Sequence, residues 1–248
     1  MRLKWFFAAL AAFLVALPAT AQIVPPPPDP QNILYLDLTT GGRVAIQLRP
    51  DIAPRHVERI KTLVRQNFYS GIIFHRVIDG FMAQAGDPTG TGEGGSELPD
   101  LEAEFNALPH VRGAVSMART SEPNSANSQF FIMLAPRLSL DGKYTVFGRV
   151  ISGMDYVDKI ERGEPPANPS RIVRASIAAD NIPPPTPEEV AAVASAPLPV
   201  AKPAETTPSA DAGTPSEQGG EALPLSSQES SAPPTAEQQP AEGQPAPQ

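Results

Sequence analysis

FHRVIDGFMAQAGD, residues 74–87, sets a single arginine, Arg76, among apolar side chains. Residues 73–78 read as a strand with nothing acidic beside the arginine. Asp79-Gly80 is a tight-turn pair that folds the next strand, 81–84, back against the first. The hairpin puts Met82 and Gln84 on one face next to Arg76, and turns His75 to the other side as a core histidine. A lone guanidinium with an amide and an apolar floor, and no nucleophile, is a poor match for a surface ion pair.

Working outward, residues 33–38 and 43–48 flank Thr39-Thr40-Gly41-Gly42 and read as another hairpin. Short strands follow at 114–118, 129–134, 146–150 and 172–177. Pro54 opens a helix as a first-turn residue. In that helix Val57, Ile60, Leu63, Val64 and Phe68 recur at helical spacing as the buried stripe. Arg55, His56, Glu58, Arg59, Lys61 and Arg65 fall on the wet side. A second helix is expected over 154–161. Strands at short intervals with only two helices imply an all-β fold, a closed antiparallel β-barrel of about eight strands capped by two α-helices.

The ends are different materials. Residues 1–21 begin with Arg2 and Lys4, continue as an apolar run to Leu17, and finish Pro18-Ala19-Thr20-Ala21, the pattern of a signal peptide cut after Ala21. The run falls short of the roughly 20 residues a bilayer demands, so no membrane span is expected, and no cysteine follows it for lipid attachment. The protein is therefore expected to be exported, to the periplasm if the source is Gram-negative. Residues 22–31 form a Pro-rich leader. Proline makes up 15 of the 69 residues from Asp180 onward, among Ala, Ser, Glu and Gln, so 180–248 is expected to be a disordered tail. That tail carries 10 acidic residues and one lysine, so most of the net charge of −8 belongs to it and residues 22–179 are near neutral. With no Lys/Arg cluster, nucleic acid is not an expected partner. The chain has no cysteine, so the folded part, residues 32–179, must stand on its own core. Nothing in it demands more than a monomer.

Other chemistry is poorly supported. Gly90-Thr91-Gly92-Glu93-Gly94-Gly95 satisfies G-x-G-x-x-G, but Ser96-Glu97-Leu98-Pro99 cannot open the helix a dinucleotide site needs; a flexible surface loop is the better reading. His56, His75 and His110 have no acidic partner at ligand spacing, so no metal is expected. No Ser/His/Asp set is legible.

Two later blocks supply rings and a second amide: Ser128-Gln129-Phe130-Phe131-Ile132 and Leu140-Asp141-Gly142-Lys143-Tyr144. Together, FHRVI, FMAQAGD, SMA (116–118), NSQFFI (127–132), LDGKYTVFG (140–148) and SGM (152–154) resemble, in order, a cyclophilin-type peptidyl-prolyl cis–trans isomerase. The resemblance spans residues 32–179. It implies that Arg76 donates toward the prolyl nitrogen and Gln84 orients it. By the same resemblance Phe81, Met82, Phe131 and Leu140 hold the proline ring. Gln129, Ala118 and the backbone at Arg119 bind the flanking peptide, and Tyr144 closes the pocket. No cofactor is implied, and the partners are proline-containing segments of unfolded or folding proteins. Ser139 stands where many members have tryptophan, Tyr144 where many have histidine, and Arg119 where many have asparagine, so weak cyclosporin binding is expected. The alternative is a chaperone-like binding module with incidental turnover. Keeping both Arg76 and Gln84 favours the enzyme, because a mere proline pocket has no need of a guanidinium that is costly to bury.

Overall fold

The structure, a computed structural model, describes residues 27–198. The signal-peptide reading, most of the leader and the tail from residue 199 lie outside those residues. β1 (Ile33–Leu38) and β2 (Gly42–Leu48) form the expected hairpin, in register from Ile33 opposite Gln47 to Leu38 opposite Gly42. The helix α1 (Pro54–Arg65) begins at the proline that was expected to open it. Next come β3 (Arg76–Ile78), β4 (Met82–Ala85), β5 (Ala114–Met117), β6 (Phe130–Met133) and β7 (Val146–Ser152). A short α2 (Met154–Asp158) leads to β8 (Ile172–Ile177).

All pairings are antiparallel, and the strands form one sheet in the order β3-β4-β6-β5-β7-β2-β1-β8. The sheet is an open half-barrel, which corrects the closed barrel expected from the sequence. The seam lies between β3 and β8. Residues 71–74 reach the start of β8 through the backbone bonds Gly71 N to Ile172 O and Phe74 N to Ser170 O, but the chain leaves that path before β3 begins. The outer edge of β3 is taken by Gly163 instead, through an isolated bridge to Val77. Register shifts at Asp37/Leu38, Ala45/Ile46 and Val115/Ser116 bend the sheet around its core.

That core is Leu36, Val44, Ile46, Phe130, Phe147 and Ile172, each at most 2% exposed, covered by Val57, Ile60 and Leu63 of α1. Two residues assigned to the wet side of α1 are buried. Arg59 reaches under the neighbouring loops, donating to Pro99 O at 2.6 Å and Asn127 O at 3.2 Å. His56 is fully buried, with Nδ1 2.6 Å from a carboxylate oxygen of Glu104. Glu104 also accepts the backbone N–H groups of Arg55 and His56, so a side chain 48 positions away caps a helix whose own N-cap, Ala53, has no side chain to do so.

Burial lowers the pKa of His56, and the Glu104 hydrogen bond only partly opposes it; burial likewise lowers that of His75. For Glu104, burial pushes upward, but the hydrogen bonds from His56 and Arg55 outweigh it and the net shift is downward. An unfolded histidine binds a proton below about pH 6.5 while these folded ones resist it. Stability is therefore full above that pH and falls as acid is added. A further loss follows as the solution is acidified through the carboxylate range and Glu104 protonates. The urea midpoint should be flat above pH 7 and clearly lower at pH 5; an equal midpoint at both would refute the assignment.

The folded part also runs past residue 179. A third helix, α3 (Pro187–Ala194), starts on a capping box formed by Thr186 and Glu189. It is docked by polar contacts: Arg174 donates to Glu189 at 2.7 Å, and Arg171 donates to the carbonyls of Ala196 and Pro197. Among the described residues, no helix is long and apolar enough to cross a membrane, and no three potential metal ligands cluster.

Candidate active site

The β3–β4 hairpin pairs Arg76 with Gln84, and β4 pairs Gln84 with Phe131 of β6, which in turn faces Ser116 of β5. Cross-strand partners share a face, so Arg76, Gln84, Phe131 and Ser116 form one row across four strands. Met82 sits two residues from Gln84 on that face and packs with Phe131, Met133 and Val146. Phe81, Ala118, Leu140 and Tyr144 lean on the same cluster.

Above this floor is a cavity of about 920 Å³. Of the expected site residues, Arg76, Gln84, Phe81, Met82, Ala118, Arg119, Phe131, Leu140 and Tyr144 line it. Gln129 does not, and its position explains a second correction. Gln84 Nε2 donates to Gln129 Oε1 at 2.8 Å, and Gln129 Nε2 donates to the carbonyls of Gly92 and Gly94. The two amides thus tether the glycine loop to the sheet, and Gln84 makes no hydrogen bond to Arg76. The arginine is not unpaired either: its Nε lies 2.6 Å from Glu164 Oε2. Glu164 is 88 positions away in sequence, so nothing near Arg76 announced it.

The loop read as flexible is built around a buried carboxylate. Asp87 accepts Thr89 N and Oγ1, both at 2.7 Å, and Gly92 N at 2.6 Å. Burial pushes the Asp87 pKa up, but these donors outweigh it and hold it below the usual range. Any Cβ at Gly94 would stand 2.1 Å from Asp87 Oδ1, so the glycine there is a packing requirement. Gly90, Thr91 and Gly92 then form part of the cavity rim, with His75 beneath them. His75 is buried but also lines this cavity, and both its ring nitrogens lack a hydrogen-bond partner among the described residues, an exception to the rule that buried polar atoms are paired.

On the far wall, His110 Nε2 lies 2.9 Å from Ser116 Oγ and Nδ1 lies 2.8 Å from Asp141 Oδ1. This is the hydrogen-bond order of a hydrolytic triad, which sequence spacing did not reveal. Ser116 is wholly buried, so it has no access to a substrate. The set braces the pocket: the His110 ring stacks on Phe131 at 6.1 Å, and its backbone N–H also donates to Asp141, next to Leu140. Arg119 lies over the Tyr144 ring at 4.6 Å and donates to Lys143 O, clipping that wall shut.

The site can grip a small apolar ring and set the Arg76 guanidinium against it, with two further cations, Arg119 and Lys143, also lining the cavity. Ser116, the serine set against His110, is sealed off from it. A family model for cyclophilin type peptidyl-prolyl cis-trans isomerases matches residues 35–177. The chain belongs to that family. A Brucella suis biovar 1 protein named "Probable peptidyl-prolyl cis-trans isomerase" is 50% identical over 189 residues, 70% of this chain and 96% of that one. A peptidyl-prolyl cis-trans isomerase of Schizosaccharomyces pombe is 40% identical, covering 55% of this chain and 94% of its own. Among solved structures, a cyclophilin from Hirschia baltica superposes with a TM-score of 0.58 at 34% identity, over 62% of this chain and 77% of that one. A Cryptosporidium parvum cyclophilin, crystallised in the presence of the dipeptide Ala-Pro, gives 0.55 at 30% identity, over 58% and 98%. This cyclophilin is accordingly a peptidyl-prolyl cis–trans isomerase, and proline-containing peptides are the kind of partner it acts on.

Proposed function

We propose that the protein is exported, assists the folding of exported proteins, and isomerises X–Pro bonds by donation from Arg76 to the prolyl nitrogen. The barrier to rotation, about 18–20 kcal/mol, comes from amide resonance. Twisting the bond removes that resonance and leaves a lone pair on nitrogen. A donor aimed there is felt more in the twisted state than in either planar one, which lowers the barrier. The reading rests on the row Arg76–Gln84–Phe131, which sets a guanidinium beside an apolar floor shaped for a ring. Apolar walls also strengthen its field relative to water. The donor's side chain is only 18% exposed.

The test uses the chain beginning at Gln22. It should accelerate cis–trans exchange of a short Ala-Pro peptide, measured by NMR exchange; no acceleration sinks the proposal. In cells, intact mass should find the protein starting at Gln22 in the periplasmic fraction, and an uncut cytoplasmic form would sink the export reading. Cyclosporin should bind weakly, because Ser139 lines the cavity where many family members carry an indole; nanomolar inhibition would contradict this.

A further inference from the structure

A donor that must aim at one atom has to be held, since the arginine side chain is long and loses rotamer freedom when fixed. Gln84 does not hold it, because its amide donates to Gln129. Among the described residues, the hydrogen bond that the guanidinium makes runs from Nε to Glu164 Oε2, and its 2.6 Å is the length of a strong charge-assisted contact. It engages the Nε edge and leaves Nη1 and Nη2 without a protein partner among those residues, on a side chain that lines the cavity.

Glu164 is delivered by a built strap. Val77, which follows Arg76, donates to Gly163 O at 2.8 Å and accepts from Gly163 N at 2.9 Å. Gly163 is thereby a one-residue extension of the sheet beyond β3, and the next side chain falls opposite Arg76. The φ of Gly163 is +146°, and a Cβ there would meet Pro166 Cα at 2.6 Å, so no other residue fits that bend without a shift. Just before it in the strap, Arg162 pairs with Asp79 in the β3–β4 turn at 3.1 Å. The strap is thus tied to both ends of β3.

We propose that Glu164 is the positioning residue for Arg76, fixing its Nε edge so that the Nη groups face the prolyl nitrogen. This rests on the reading of Arg76 as the donor. The rival is a competitor that occupies the guanidinium until substrate displaces it. The engaged edge decides against that, since the donors directed to the substrate are left free. Stability is a poor alternative explanation, because the Glu164 side chain is 47% exposed and ion pairs that open to water contribute little to folding.

The experiment measures isomerisation of an Ala-Pro peptide over a range of concentrations by NMR line-shape analysis. Glu164→Ala should lower kcat about fivefold to tenfold, the scale of a modest misplacement of a catalytic group, with KM changed less than about twofold. Its urea midpoint should match the parent. Glu164→Gln, whose amide oxygen still accepts from Nε, should recover most of the activity. In an Arg76→Ala background, Glu164→Ala should have no further effect, as a double-mutant cycle requires of groups acting as one. An unchanged or raised kcat in Glu164→Ala overturns the proposal, as does an equal drop in the Arg76→Ala background. If Arg76→Ala itself keeps the parent rate, the donor reading falls first; if Arg76→Ala is impaired and Glu164→Ala is not, positioning alone fails.

Discussion

Arg76→Ala lowers the isomerisation rate at least about tenfold, equivalent to roughly 1.4 kcal/mol of barrier, with the unfolding midpoint little changed. Removing one preorganised donor from an oxyanion-type site costs about 10²–10³ in rate. A prolyl nitrogen carries less charge than an oxyanion, and this cavity is open to water, so the lower figure is the safer bound. The fold should survive because the substitution breaks only an ion pair to Glu164, which is half exposed at the cavity mouth. Such pairs contribute about 0–1 kcal/mol to stability. Arg76→Lys sharpens the test: the charge is kept, but the planar fork that presents several N–H groups is gone. Its rate should fall between those of the parent and Arg76→Ala. A parent-like rate in Arg76→Ala, with the peptide saturating, would show that the apolar pocket alone does the work.

β2 was legible because its core face is hydrophobic at period two, with buried and half-buried residues alternating along it, whereas β5 and β6 are buried on both faces and read only as short apolar runs. Most of the site was legible for the same reason: a two-residue register across β3, β4 and β6 puts Arg76, Gln84 and Phe131 in a row once the hairpin is placed. Barrel closure was not. It depends on whether the edges of β3 and β8 meet, and Gly163 takes one of those edges from 86 positions away. Pairings between distant polar residues were equally hidden. Glu104 caps α1, Glu164 meets Arg76 and Asp141 meets His110, and each pair joins segments with no shared periodicity. The burial of His56 and Arg59 follows from loops covering a helix face that hydrophobicity alone marks as wet. The helix α3 shows the opposite error. Thr186-Pro187-Glu188-Glu189 is a helix-start signal, yet composition outweighed it, because none of the helix is buried and nothing apolar advertised its docking.

Adjacent residues of β6 should give opposite phenotypes. Phe130 points into the half-barrel, 2% exposed, edge-on to Tyr69 at 5.6 Å and to Phe147 at 6.5 Å. Truncating a phenylalanine so enclosed costs about 3–5 kcal/mol, since neighbouring strands cannot collapse into the void. A domain of this size holds only about 5–15 kcal/mol in total, so Phe130→Ala should unfold at much lower urea and express poorly. Phe131 points to the other face, where its ring is a wall of a cavity that already exists. Part of the void that Phe131→Ala makes therefore joins open space, and its destabilisation should be the smaller of the two. What it gives up is the grip on the proline ring, so isomerisation should drop while Phe130→Ala, assayed under conditions where it is folded, keeps most of its rate. The pair is read by urea denaturation and NMR exchange on the same samples. If Phe131→Ala proves the more destabilising and the more active variant, the two faces of the sheet have been assigned the wrong way round.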